Sequence, residues 1–212
     1  GADHGDPASV TREFVGDPAR GVEGLRLGTL SGAFDGDRSG PLDRETRDGL
    51  RSAGAVLVDV ELPTLPYETL LIPLFVEAAA AFEELTRADL DDQLTWQDDD
   101  AWPNTFRRTW LLPAIELVQA DRFRRETMQV MHRTMASVDA LLTPSFAGGL
   151  GGPLLLTNAT GHPSITVPTH LWNGRPHGIT VIGRLFDEAT VCRVGTAIEA
   201  TAPIRGSRPP AS

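Results

Sequence analysis

Apolar and polar positions alternate with a two-residue period at residues 25–30, which predicts a strand, and a Gly- and Asp-rich turn follows over 31–40. The period then becomes helical. Asp43 is placed to cap a helix that runs through Leu50 to Ala53, and Gly54 is placed to end it. Over 55–62 the chain alternates again, with Val56, Val58, Val60 and Leu62 on one face. Strand, helix and strand in succession predict a βαβ unit with a right-handed crossover. Pro63 and Pro66 stop the second strand, and the Leu-, Ala- and Glu-rich stretch 67–90 predicts one long helix with a kink at Pro73. After a loop at 98–103 and a break at Pro113, a helix is expected over 114–136, with Ile115, Val118, Phe123, Met128 and Met131 at core-filling spacing. Short strands are expected at 138–143, 164–167 and 178–184, and Asp187 is placed to cap a closing helix to Ala200. Strands alternating with helices make this an α/β chain. Residues 1–20, with Asp6-Pro7 and Asp17-Pro18 among glycines, read as a linker or surface wrap; 21–212 reads as one globular unit.

Composition narrows the class. The 212 residues are 41% apolar, enough for a substantial core. No apolar run has transmembrane length, and the start Gly1-Ala2-Asp3-His4 has neither the basic nor the apolar part of a signal peptide. A soluble, cytoplasmic setting is the expectation, although a chain that begins with Gly leaves a removed upstream segment open. The formal charge of −10, dense at Asp98, Asp99 and Asp100, speaks against nucleic acid and membranes as partners. The arginines at 107, 108, 122, 124 and 125 alternate with Glu116, Asp121 and Glu126, as on a paired helix face. A single cysteine, Cys192, excludes an intramolecular disulfide and reads as a buried structural thiol. All nineteen basic residues are arginine. A lysine base is therefore excluded, and arginine stays protonated near neutral pH and cannot replace it.

Candidate chemistry is sparse. The histidines at 4, 132, 162, 170 and 177 show no His-Glu-x-x-His spacing, so no metal site is expected, and no cofactor either. The glycines at 148, 149, 151 and 152 lack the Gly-Lys-Ser/Thr of a phosphate loop. No serine sits in Gly-x-Ser-x-Gly; Ser145 and Ser164 come nearest, and His162 lies too close along the chain to Ser164 to serve it as an in-line base. In the stretch 156–168, Gly161 is free to take positive φ and Pro163 pushes His162 towards extended backbone. That segment reads either as a plain tight turn or as a turn that brings polar groups to a cavity.

Three stretches in this order resemble the C-terminal portion of amidase-signature enzymes: Val-Asp-Ala-Leu-Leu-Thr-Pro at 138–144, Thr157-Asn158 with Thr160-Gly161-His162-Pro163, and Arg-Pro-His-Gly-Ile-Thr-Val-Ile-Gly-Arg-Leu-Phe-Asp-Glu at 175–188. Residues 3–9, Leu25-Arg26-Leu27-Gly28, Gly54-Ala55-Val56 and Leu62-Pro63 extend the resemblance over nearly the whole chain. The resemblance implies a mixed β-sheet flanked by helices, and acyl transfer by a serine nucleophile, a bridging cis-serine and a lysine base, all upstream of residue 1. It implies that this chain alone is inactive and contributes a substrate-pocket wall built from Thr143, Ser145, Phe146, Thr157, Asn158, Gly161 and His162. Where amidotransferase relatives carry an acidic residue, this chain has the glycines and leucines from Gly149 to Leu156, which points to a general amidase. The implied partners are a small-molecule amide, the missing N-terminal catalytic half and, through uncovered apolar surface, a second copy as homodimer. The alternative is a non-catalytic binding or scaffolding module derived from the same fold.

Overall fold

The computed structural model of the chain describes residues 2–11, 15–36, 40–145, 147 and 152–208. It divides into two compact units, one formed by 1–63 and 130–212, the other by 64–129.

The first unit holds the sheet. Its strands are β1 (Arg26–Leu30), β2 (Val56–Val60), β3 (Ala140–Pro144), β4 (Ser164–Trp172) and β5 (Arg175–Gly183), in the order β2-β1-β3-β5-β4. β1 pairs parallel with β2 and β3, while β5 runs antiparallel to both β3 and β4. This is the mixed sheet that the resemblance implies. The parallel β1–β2 pair is bridged by α1 (Gly40–Ser52), as the βαβ reading requires. Asp43 lies inside the first turn of α1 and is 1% exposed, so it is not the cap that the sequence suggests. Gly54 at φ 93 ends the helix segment as expected.

Leu27, Ala140, Leu142, Ile179 and Val181 form one face of the sheet, and Leu50 of α1 packs there with Val191, Val194 and Ile198 of α7 (Glu188–Thr201). Each such buried Leu, Ile or Val side chain contributes roughly 1.5–3 kcal/mol. Asp187 caps α7, its carboxylate accepting from the Thr190 N–H at 3.2 Å. Cys192 on α7 is half-buried rather than enclosed. The single turn Pro18–Arg20, capped by Asp17, lies against α7, where the Gly21 carbonyl accepts from Arg193.

The second unit is helical. The predicted helix 67–90 is broken into the turn Tyr67–Leu70, α2 (Leu71–Ala81) and α3 (Glu83–Arg87). Pro73 is not the cause, because in the first turn of α2 its missing N–H costs nothing; the break falls at Phe82, whose ring stacks on Phe106 at 5.3 Å. Part of the expected loop 98–103 belongs to α4 (Trp102–Thr109). Buried Asp91 is matched by Arg107 at 2.8 Å, and Arg124 pairs with Asp121 at 2.8 Å, as the alternating charges foretell. The helix expected over 114–136 is α5 (Ala114–Met135), but Ile115 and Val118 are 64% and 58% exposed. The apolar spacing there is real; the cover is not in this chain's described residues. Among those residues no helix is long and apolar enough to cross a membrane.

Candidate functional site

The two-residue period of strands separates two kinds of chemistry in the first unit. Ala140, Leu142, Ile179 and Val181 take the face packed by α1 and α7, so Thr143 and its register partner Thr180 take the other. Thr166 of β4 stands opposite Thr180, with their hydroxyls 2.9 Å apart. Ser145, just past β3, is held by its N–H to the Gly178 carbonyl at 2.8 Å and places Oγ 3.3 Å from Thr180 Oγ1. Thr143, Ser145 and Thr180 are all buried, and Thr143 donates to the Pro144 carbonyl at 3.3 Å. The result is a row of hydroxyls able to orient a polar ligand. A hydroxyl neighbour cannot take the Ser145 proton at neutral pH, so the row supplies no activated nucleophile.

Thr157 and Asn158 do not lie in a turn, as the sequence suggests, but on α6 (Pro153–Thr160). Pro153 at the first helical position presets the backbone, which outweighs the weak helix preference of Thr and Asn. Gly161 then ends the helix at φ 78, its N–H donating to the Thr157 carbonyl at 2.8 Å, the left-handed cap for which glycine is suited. Thr157 is buried and donates to the Leu154 carbonyl at 2.9 Å, while Asn158 is exposed. Thr160 donates its only hydroxyl proton to the Leu156 carbonyl at 2.6 Å. Its oxygen therefore accepts from His162 Nδ1–H at 2.8 Å. Burial, with a smaller contribution from His132, pushes the His162 pKa below the usual histidine range. The pocket-wall candidates thus fall into a hydroxyl row (Thr143, Ser145) and a helix end (Thr157, Asn158, Gly161, His162). Phe146 lies outside the described residues.

On the opposite face the fold gathers a group that linear spacing does not reveal. One ligand-type atom each from Asp43, His170 and His177 lies within 4.8 Å of the others, and His177 Nε2 is 3.4 Å from Asp43 Oδ2. A signal for it is present in the sequence. Asn173-Gly174 at φ 50 and φ 74 makes a two-residue hairpin turn, and counting outwards pairs Trp172 with Arg175, Leu171 with Pro176 and His170 with His177. The position of Asp43 beside that pair comes from the packing of α1 and has no such signal.

No protein-family model matches the chain. It is similar to a glutamyl-tRNA(Gln) amidotransferase subunit of Chloroflexus aurantiacus, at 28% identity over 96% of this chain and 49% of that protein. Among solved structures it resembles the peptide amidase of Stenotrophomonas maltophilia (TM-score 0.72, 22% identity, 100% of this chain and 50% of that one). It also resembles the corresponding amidotransferase subunit of Thermotoga maritima (TM-score 0.70, 24% identity, 96% of this chain and 48% of that one). In sequence the chain resembles these amidotransferase subunits and in fold it resembles amidase-signature enzymes, in the part that corresponds to their C-terminal half. The chain spans about half the length of the curated relatives it matches.

Proposed function

We propose that this chain is the pocket-forming half of a carboxylic amide hydrolase whose serine nucleophile, bridging serine and lysine base lie outside it. The observation that carries the reading is chemical: a chain similar to about half of each relative contains no lysine, and its buried serine Ser145 has a hydroxyl neighbour where a nucleophile needs a base. The hydroxyl row and the α6 end supply oriented donors and acceptors for an amide group, with Thr143, Ser145, Phe146, Thr157, Asn158, Gly161 and His162 as wall. The exposed apolar residues Leu111, Ile115 and Val118 on the second unit support a covering partner, the catalytic half first and a second copy after it. The glycines and leucines from Gly149 to Leu156, which carry no acidic side chain, favour a general amide substrate.

The test is the intact mass of the natural product together with hydrolysis of a panel of small amides. A product heavier than 22.8 kDa that hydrolyses amides, with Ser145→Ala altering KM and leaving kcat within about tenfold, is the expected result. A product of that mass that hydrolyses amides and loses the activity on Ser145→Ala or Ser164→Ala overturns it. A product of that mass that is inert favours the binding-module reading.

A further inference from the structure

We infer that Asp43, His170 and His177 form a binding site for one divalent transition cation of the zinc type, on the face of the sheet away from the hydroxyl row. The inference does not depend on the amide chemistry. His170 is 5% exposed, and its Nε2 is buried without a hydrogen-bond partner. A buried polar atom left so costs on the order of 1–3 kcal/mol, which calls for a ligand.

The character of that atom follows from its neighbours. Thr169 Oγ1 donates to the His177 carbonyl at 3.4 Å, and having a single proton it meets His170 Nδ1 at 2.9 Å as acceptor. Nδ1 then carries the ring proton and Nε2 presents a lone pair. Beside the His170 ring stand the Asp43 carboxylate, 1% exposed, and the His177 ring, whose centroid is 5.0 Å from that of His170. Two imidazoles and a carboxylate, each offering one ligand atom within 4.8 Å of the others, form a donor set that suits a cation. Imidazole donors select zinc, copper, nickel or iron over calcium and magnesium, which take oxygen ligands. The threonine-fixed ring is the outer-sphere arrangement that orients metal-ligating histidines.

The geometry is close to what binding needs. Ligand atoms about 2.0–2.2 Å from a tetrahedral zinc lie roughly 3.4 Å apart, the separation already found between His177 Nε2 and Asp43 Oδ2. The ligand atoms of the whole group lie within 4.8 Å of one another. A cavity of about 200 Å³ lined by Leu42, Glu45, Thr46, Thr169, His170 and Thr201 has one member of the group, His170, in its wall. The site ties α1 to the β4–β5 hairpin, so occupancy raises stability as well.

The test uses the natural polypeptide that carries this chain, untagged and stripped with a chelator. Zn²⁺ is titrated against a chromophoric chelator, and Co²⁺ is followed by its visible absorption. The expected result is one equivalent bound with micromolar or tighter affinity, a rise in Tm with Zn²⁺, and at least about tenfold weaker binding in each of His170→Gln and His177→Gln. Far-UV circular dichroism and the metal-free Tm confirm that the variants fold; should His170→Gln fail this, His177→Gln, at a partly exposed position, decides alone. Absence of a one-equivalent uptake, or uptake that survives substitution of either histidine in a folded variant, overturns the inference.

Discussion

His162 and His170 start from the same local device. Each is buried, each donates its Nδ1–H to a threonine hydroxyl two or fewer residues before it, and that hydroxyl in turn donates to a backbone carbonyl. For both, burial is the largest cause of a lowered pKa. Beyond that shell they part. His162 has a second histidine, His132, as its electrostatic neighbour, so both influences on it favour the neutral ring. His170 has His177 and also the Asp43 carboxylate, which pulls the other way and welcomes positive charge. A threonine beside a histidine therefore fixes a tautomer, while the tertiary neighbour decides what charge the rest of the ring faces.

The comparison can be broken at the hairpin that builds one side of it. A Cβ on Gly178 would lie 2.2 Å from the Val167 carbonyl oxygen, so Gly178→Ala must push β4 and β5 apart next to the His170–His177 pair. The expected loss is about 2–3 kcal/mol, read as a lower urea midpoint, together with loss of Zn²⁺ binding; an unchanged midpoint contradicts the packing described. Substituting the two threonines sharpens it. Thr169→Val releases the His170 ring and should weaken Zn²⁺ roughly tenfold or more, whereas Thr160→Val should leave Zn²⁺ affinity where it was. Equal effects from the two variants would show that the threonines do not act through their histidines.

The smallest expected effect is on pH dependence. The folded pKa of His162 lies below its unfolded value of about 6.5. The unfolded chain thus binds the proton more readily. The stability linked to His162 is complete above about pH 6.5 and is lost as pH falls from there towards the folded pKa. Urea midpoints measured between pH 8 and 5 in chelator should fall less steeply in His162→Gln than in the parent chain. Parallel curves would mean that His162 is not the group responsible, and since His170 is present in both proteins its own titration cancels from the difference.

The sheet was largely legible because strand period, turn residues and helix caps are short-range signals. The alternations at 25–30 and 55–62, the stop at Gly54 and the cap at Asp187 all reappear in the structure. Reading failed where side chains of ambiguous preference meet a stronger backbone constraint, as at Thr157 and Asn158 behind Pro153. It failed again where helical periodicity was taken for burial, as at Ile115 and Val118, since a stripe announces a partner without saying that the same chain provides it.

What the sequence determined by itself is therefore local and compositional: the α/β order of elements, the left-handed glycine at 161, the Asn-Gly hairpin that sets His170 opposite His177, and the lack of any lysine base. Tertiary structure alone decided which hydroxyls share a face with Ser145 and that Asp43, more than a hundred residues from the histidines, comes together with them. The reason is physical: backbone period and turn geometry act within a few residues, whereas the meeting of distant polar groups follows from how helices and strands pack to bury their apolar faces.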